Sequence, residues 1–361
     1  MEGVEVDREF WRGRRVLITG HTGFKGSWLT LFLRQLGACV SGVSLEVMPD
    51  PALYQLSGAG DGIESSLLDI RDYPALVRAV SSIKPEFVFH LAAQSLVRRS
   101  YQQPLDTYTT NVMGVANLLE SVRLTSSVRA VVNVTSDKCY ENREISRGYT
   151  EQDELGGYDP YSNSKACAEL VTSAYRRSFF SSREVPVAIA TARAGNVIGG
   201  GDWATDRLLV DAVRAFMTGS QVTLRNPAAT RPWQHVFEPV RAYLLLAQRL
   251  FQEPARFQGP WNFGPHESDI VPVATVVDRL ASVWGSGAGW VAEPGSHPHE
   301  AHTLRLDCTK ARTQLGWNPV WGLERAIGET AAWYMRYANG GDMRSFSQEQ
   351  IEAYLRESEC A

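Results

Sequence analysis

Residues 15–28, RVLITGHTGFKGSW, read as a buried strand that runs into a glycine turn and then into a helix. Val16, Leu17 and Ile18 form the short apolar run expected of a parallel strand covered on both faces. Gly20, Gly23 and Gly26 follow at G-x-x-G-x-x-G spacing, with Thr22, Phe24 and Lys25 between them. Glycine suits such a turn because it accepts positive φ and has no Cβ to keep a pyrophosphate from the N–H groups at the helix start. The amphipathic run 27–36 supplies that helix, and strand, turn and helix together point to a dinucleotide.

A chain of 361 residues has room for two domains or for one large α/β domain with an added lobe. With 44% hydrophobic residues, 21% charged and a formal net charge of -4, it has no basic excess to draw it onto nucleic acid or anionic lipid. Cys39, Cys139, Cys167, Cys308 and Cys360 are scattered without a C-x-x-C pair, which speaks against a disulfide framework or structural zinc and suits a reducing cytoplasm. The first fifteen residues carry acids where a signal peptide needs an apolar core, and no stretch reaches the roughly 20 apolar residues of a membrane span.

A second apolar run at 39–45 completes a βαβ crossover. An acid that takes the ribose hydroxyls usually stands at this strand end; Ser44 occupies the place here, with Glu46 two residues on. No Lys or Arg stands nearby to hold an extra phosphate, so the spacing favours NAD over NADP. Asp69, followed by Ile70, either holds the adenine amino group or caps the helix expected over 73–83. Strand 86–90 leads to Leu91-Ala92-Ala93-Gln94, small enough for backbone to pass close to a flat ligand. A helix is expected over 104–122, where Asn111 fixes a water or a carbonyl, or is simply a satisfied buried amide.

Strand 130–134 ends in Thr135-Ser136-Asp137-Lys138, a polar cluster beyond the carboxyl end of a parallel strand, where open α/β sheets bind ligands. Tyr161 and Lys165 stand at i and i+4 in a helix expected over 159–180 and therefore share a face. A lysine cation beside a phenol favours phenolate, so the tyrosine is expected to titrate below its usual range and to accept an alcohol proton. After strand 186–194 the glycine cluster 195–202 marks a change to short strands, many tryptophans and the basic positions Arg207, Arg225 and Arg231. The expected architecture is a Rossmann-type doubly wound parallel sheet over 1–195. A smaller mixed α/β lobe over 196–361 binds substrate, with some segments returning to the first domain.

The motifs T-G-x-x-G-x-x-G at 19–26, D-I at 69–70, L-A-A at 91–93 and Y-x-x-x-K at 161–165 resemble the extended short-chain dehydrogenases/reductases. HTGFKGSWL, AAQSLVRRSY, TSDKCYENRE, GGYDPYSNSKACAEL, RAGNVIGGGDWA, RPWQHV and HPHEAH, in that order, are similar to the branch of that family that dehydrates CDP-D-glucose. The resemblance implies a retained NAD that is reduced and reoxidised within one turnover. Tyr161 would be the base at the C4 hydroxyl, Lys165 its tuning cation and a ribose contact, and Ser136 a second partner of that hydroxyl. Asp137 would protonate the departing C6 oxygen. Lys138 stands where thymidine-nucleotide relatives have a glutamate that removes the C5 proton; it is either that base or the partner of Asp137 in an ion pair that orients the sugar. Asn196, Arg231 and Asn262, with Arg207, would hold the substrate diphosphate, and Thr135 and Gln94 would line the nicotinamide pocket. A 4-epimerase of the same family needs Tyr161 and Lys165 but not the Asp137–Lys138 couple. A homo-oligomer, a dimer or dimer of dimers, is implied through helices 104–122 and 159–180, whose apolar content exceeds what one sheet face must cover.

Overall fold

The computed structural model describes residues 5–47, 51–181, 186–285, 287–293 and 303–359. The HPHEAH stretch and Cys360 therefore lie outside the described residues. Seven parallel strands carry the architecture: β1 (Arg15–Thr19), β2 (Cys39–Ser44), β3 (Glu64–Leu67), β4 (Phe87–His90), β5 (Ala130–Val134), β6 (Ala188–Ala194) and β7 (Gly259–Phe263). Their spatial order is β7-β6-β5-β4-β1-β2-β3. The chain winds outward from β1 to β3 and then returns to place β4 on the other flank of β1. Connections leave the sheet in opposite directions at that point, which opens a crevice at the carboxyl ends of β1 and β4.

Strand periodicity explains how the sheet is held. Leu17, Val88, Val131 and Ile189 point to one face and pack with Leu76 and Val80 of α2 (Tyr73–Ile83), Leu118 and Val122 of α3 (Gly114–Arg123), and Ala168 of α4 (Pro160–Tyr175). Val16, Ile18, Phe89 and Val132 point to the other face, against Trp28 and Phe32 of α1 (Phe24–Gln35) and Tyr243 and Leu244 of α5 (Phe237–Gln252). Each fully buried Leu, Ile or Phe contributes about 1.5–3 kcal/mol, so these two layers fix the strand ends on which the polar residues stand.

Three local features add to or differ from the expectations. Strand β3 has a weak apolar pattern because it is the edge strand, with Glu64 and Leu67 exposed; its pairing of Ser41 with Glu64 through Ser44 with Leu67 defines it. The helix expected over 104–122 is broken into Pro104–Tyr108, a π turn at Thr109–Met113 and α3. The π turn carries Asn111 inward, and Gly114 follows it with Ile70 so close that a Cβ would lie 2.4 Å from Ile70 Cδ1. Asp72, not Asp69, caps α2, accepting from the Ala75 N–H at 3.0 Å.

The second lobe is built of two- and three-residue ladders, Val197–Ile198 with Gln234–His235 and Thr230–Pro232 with Ile270–Pro272, backed by helices Leu208–Met217 and Val273–Trp284. Within residues 196–361, β7 pairs with β6 and α5 packs on the main sheet, so this part of the chain contributes to both layers. Among the described residues no helix is long and apolar enough to cross a membrane. Nor is there among them a group of three or more His, Cys, Asp or Glu side chains that could hold a metal.

Candidate active site

The glycine turn is shaped by contact rather than by flexibility alone. Gly20 has φ +77°, and a Cβ there would lie 2.7 Å from the Ala92 nitrogen; a Cβ at Gly26 would lie 2.1 Å from the Gly20 carbonyl oxygen. Side chains are therefore excluded where β1, the turn and the Leu91–Ala92 backbone meet. At Gly23, the residue before α1, the nearest other atom would be 3.4 Å from a Cβ, and this edge opens into a cavity. Thr22 ties the turn to the end of β2, donating to the Glu46 carbonyl at 2.7 Å and lying 2.8 Å from Ser44 Oγ.

That cavity, about 1070 Å³, runs along the crevice from Ser44 and Asp69 past the glycine turn to the second lobe. It exceeds the usual range for one small ligand, roughly 300–1,000 Å³, and offers room for a dinucleotide and a second molecule. Every site residue expected from the sequence lines it except Asn111 and Asn262. The glycine cradle, the small residues Ala92 and Ala93 and the polar far end fit a dinucleotide laid across the switch point.

Four polar residues after β5 meet the start of α4. Asp159 caps α4, accepting from the Ser162 N–H at 2.9 Å, with Pro160 in the first turn, and this brings Tyr161 and Lys165 to the cavity wall. Ser136 caps the short turn Asp137–Cys139: its Oγ accepts from the Lys138 N–H at 3.2 Å and donates to Asp137 Oδ1 at 3.0 Å. The same hydroxyl stands by the Tyr161 phenol and favours its ionised form. Asp137 Oδ2 is buried with no hydrogen-bond partner, beside Gly195, where a Cβ would sit 3.1 Å away. No ion pair joins Asp137 to Lys138 among the described residues, so the orienting-pair alternative has no counterpart in the geometry.

Burial governs the charges. It raises Tyr161 to about 12, against the lowering by Ser136 and with Asp137 adding to the rise, so the expectation of a phenol below its usual range is corrected. Burial likewise lowers Lys165 to about 8, with Glu169 opposing. Lys25 is also lowered to about 8, first by burial and then by Arg207 and Lys165. Of the 36 lysines and arginines in the chain five are lysines, and three of these, Lys25, Lys138 and Lys165, line this cavity. Lysine, unlike arginine, can lose its proton in a protein, so the cations that can titrate are concentrated at this cavity.

From the second lobe come Asn196, Arg207 and Arg231. Arg207 pairs with Asp202 at 3.2 Å, and Arg231 donates to the Thr230 carbonyl at 2.9 Å. Asn262 is different: it is fully buried on β7, donating to the Tyr149 and Asp307 carbonyls at 2.8 and 3.1 Å and accepting from the Tyr140 hydroxyl at 2.7 Å. Its amide is spent inside the protein, and it is withdrawn as a diphosphate ligand. Asn111 lies one layer behind the wall, bracketing the Gln94 backbone: Oδ1 accepts from the Gln94 N–H at 2.8 Å and Nδ2 donates to its carbonyl at 2.9 Å. It supports the loop and does not face a cofactor. Gln94 lines the cavity, but its amide is engaged with Leu96 and Thr107. Asp69 also lines it, its carboxylate held by Arg71 at 2.6 Å. The sequence reading missed Glu169, which receives the Thr135 hydroxyl at 2.5 Å; its place one turn after Lys165 was the available signal.

A doubly wound parallel sheet, a glycine turn at its switch point and a tyrosine and lysine one helical turn apart in the same crevice define an extended short-chain dehydrogenase/reductase. Residues 17–258 match the family described as GDP-mannose 4,6 dehydratase, and the chain belongs to this NAD-dependent family of nucleotide-sugar dehydratases. It is 51% identical over 353 residues to the CDP-glucose 4,6-dehydratase of Salmonella typhimurium, covering 97% of this chain and 98% of that one. It is 28% identical to the UDP-glucose 4-epimerase of Mycolicibacterium smegmatis, over 89% of this chain and 98% of the other. The solved UDP-glucose 4-epimerase of Thermotoga maritima shares the fold with a TM-score of 0.77 at 23% identity, over 89% of this chain and 99% of that one.

Proposed function

We propose that the protein converts CDP-D-glucose to CDP-4-dehydro-6-deoxy-D-glucose by oxidising C4, eliminating water across C5 and C6, and returning the same hydride to C6. The observation that carries the reading is the buried, unpartnered Asp137 Oδ2 in the wall that also presents the Tyr161 phenol. A 4-epimerase needs the phenol but has no oxygen to expel, whereas a dehydratase needs an acid at just such a place. The choice of CDP-glucose is supported by the 51% identity to the Salmonella enzyme.

Bound NAD supplies the hydride acceptor for C4 oxidation and the donor for C6 reduction, and its positive charge favours phenolate. Gly20, Gly23, Gly26 and Ala92 would give it backbone to lie on, with Ser44 toward the ribose. Tyr161 takes the C4 hydroxyl proton, and Ser136 steadies that oxygen. Lys165, as an ammonium, favours the phenolate. The new 4-ketone acidifies C5, Lys138 removes the C5 proton, and Asp137 gives a proton to the C6 oxygen, which leaves as water. Arg207 and Arg231, with Asn196, suit the diphosphate. The free thiols of Cys39, Cys139, Cys167 and Cys308 suit a reducing cytoplasm. Comparing turnover of CDP-, dTDP-, UDP- and GDP-glucose tests the substrate: CDP-glucose is expected to be preferred at least about tenfold in kcat/KM, a difference of 1.4 kcal/mol.

A homo-oligomer belongs to the same proposal. Leu105 is 79% exposed and Leu170 58% exposed, and Met113 and Phe179 also stand open on the same two helical segments. Such apolar surface suits a partner copy. Sedimentation at micromolar concentration is expected to give a dimer or larger; a monomer alone would remove this part of the reading.

A further inference from the structure

Glu169 is a buried carboxylate to which the reaction assigns no task. It lies one turn beyond Lys165 on α4, where Oε1 accepts from the Thr135 hydroxyl at 2.5 Å. Its Oε2 accepts from the Thr191 hydroxyl at 2.6 Å and from Arg193 Nη2 at 2.8 Å. The side chains of Glu169 and Arg193 are 4% and 3% exposed. Arg193 is braced in turn, donating from Nη1 to the Tyr140 hydroxyl at 2.8 Å, which donates to Asn262 at 2.7 Å. On the same helix Lys165 Nζ donates to the Val134 carbonyl at 3.2 Å, so consecutive residues at the end of β5 are gripped by Lys165 and Glu169.

A buried ion pair is a poor way to gain stability, since apolar side chains of similar size often replace one without loss. Its place here calls for another reason. We propose that Glu169 is a positioning residue for the Tyr161–Lys165 pair: anchored by Arg193, it holds Thr135 against α4, beside the Val134 carbonyl that Lys165 grips, and keeps a negative charge one turn from the Lys165 ammonium. The groups around Lys165 leave it that task. Cys139 is pushed well above the ordinary thiol range by burial and is uncharged, and burial with the charge of Lys165 holds His90 of β4 at about 3, so it is neutral. Tyr161 is a neutral phenol in the absence of ligands, and Lys25 from α1 opposes a second ammonium. Glu169 is the chief influence that favours the charged lysine. Asp137 acts on Lys25 from the turn after β5.

Because Lys165 enters in the role proposed above, the test reads its charge separately from turnover. In the full-length protein without added NAD, the pH dependence of Lys165 acylation by a small reagent, followed by mass spectrometry, gives the midpoint for the free amine. Glu169→Gln is expected to lower that midpoint by on the order of one pH unit, so that Lys165 labels about fivefold faster at neutral pH. Glu169→Gln also leaves Arg193 unpaired and can unfold, so the paired variant Glu169→Gln/Arg193→Met is measured beside it and is expected to show the same shift. Glu169→Asp, which keeps the charge, is expected to restore most of the wild-type midpoint. With substrate, kcat should fall on its alkaline side at correspondingly lower pH while KM stays within about twofold. A folded Glu169→Gln/Arg193→Met protein with an unchanged Lys165 midpoint would overturn the proposal, whatever its activity. A shifted midpoint with an unchanged pH profile would instead uphold the electrostatics and remove Lys165 from the reaction.

Discussion

Tyr161→Phe is expected to lower kcat by roughly a hundred- to ten-thousand-fold, the range that a positioned acid or base contributes, with substrate binding altered only a few-fold. The hydroxyl is the only atom changed, and the ring that packs at the start of α4 is kept. In the resting protein the phenol is held at about 12 by burial, and a neutral phenol is not a base. The Lys165 ammonium and the charge of oxidised nicotinamide must together favour phenolate, and phenylalanine has no proton acceptor for them to act on. Mixing the variant with CDP-glucose should therefore give no burst of reduced nicotinamide, because the first hydride transfer requires loss of the hydroxyl proton. Turnover within about tenfold of wild type would assign the base elsewhere in the cavity.

Lys138→Met separates the two halves of the reaction. Oxidation at C4 needs Tyr161 and the cofactor, and among the described residues no hydrogen bond joins Tyr161 to Lys138. Elimination needs a base at C5. Lys138 is half-buried in the cavity wall, and Asp137, free of any ion pair with it, keeps an open carboxyl oxygen. The methionine variant should take the hydride and stop, with enzyme-bound reduced nicotinamide accumulating, overall turnover reduced by at least about a hundredfold, and no solvent deuterium entering C5. Normal exchange at C5 together with full turnover would show that another group removes that proton.

Local spacing made the centre of this site legible. A glycine turn after an apolar strand and a tyrosine four residues before a lysine are facts about adjacent residues, and helix and strand periods carry them directly into space. What stayed hidden depends on partners far along the chain. Asn262 has the chemistry of a ligand, but Tyr140, Tyr149 and Asp307 claim its amide. Asn111 turns inward through a π turn that the regular helical pattern does not announce. Strand β3 pairs through its backbone while Glu64 and Leu67 stand exposed, so it carries no buried apolar pattern. The Tyr161 charge balance is hidden for a related reason: spacing places the lysine nearby, but burial sets the larger effect on both groups.

An internal redox cycle on a cytidine nucleotide sugar is tested most directly by the four-nucleotide comparison made with glucose deuterated at C4. CDP-glucose should be the preferred substrate, its product should carry a 4-keto group, and the deuterium should appear at C6 of the same molecule without added reductant. Recovery of a C4 epimer with the label still at C4, or of a 4-keto product whose deuterium has gone to solvent or to free cofactor, would contradict it.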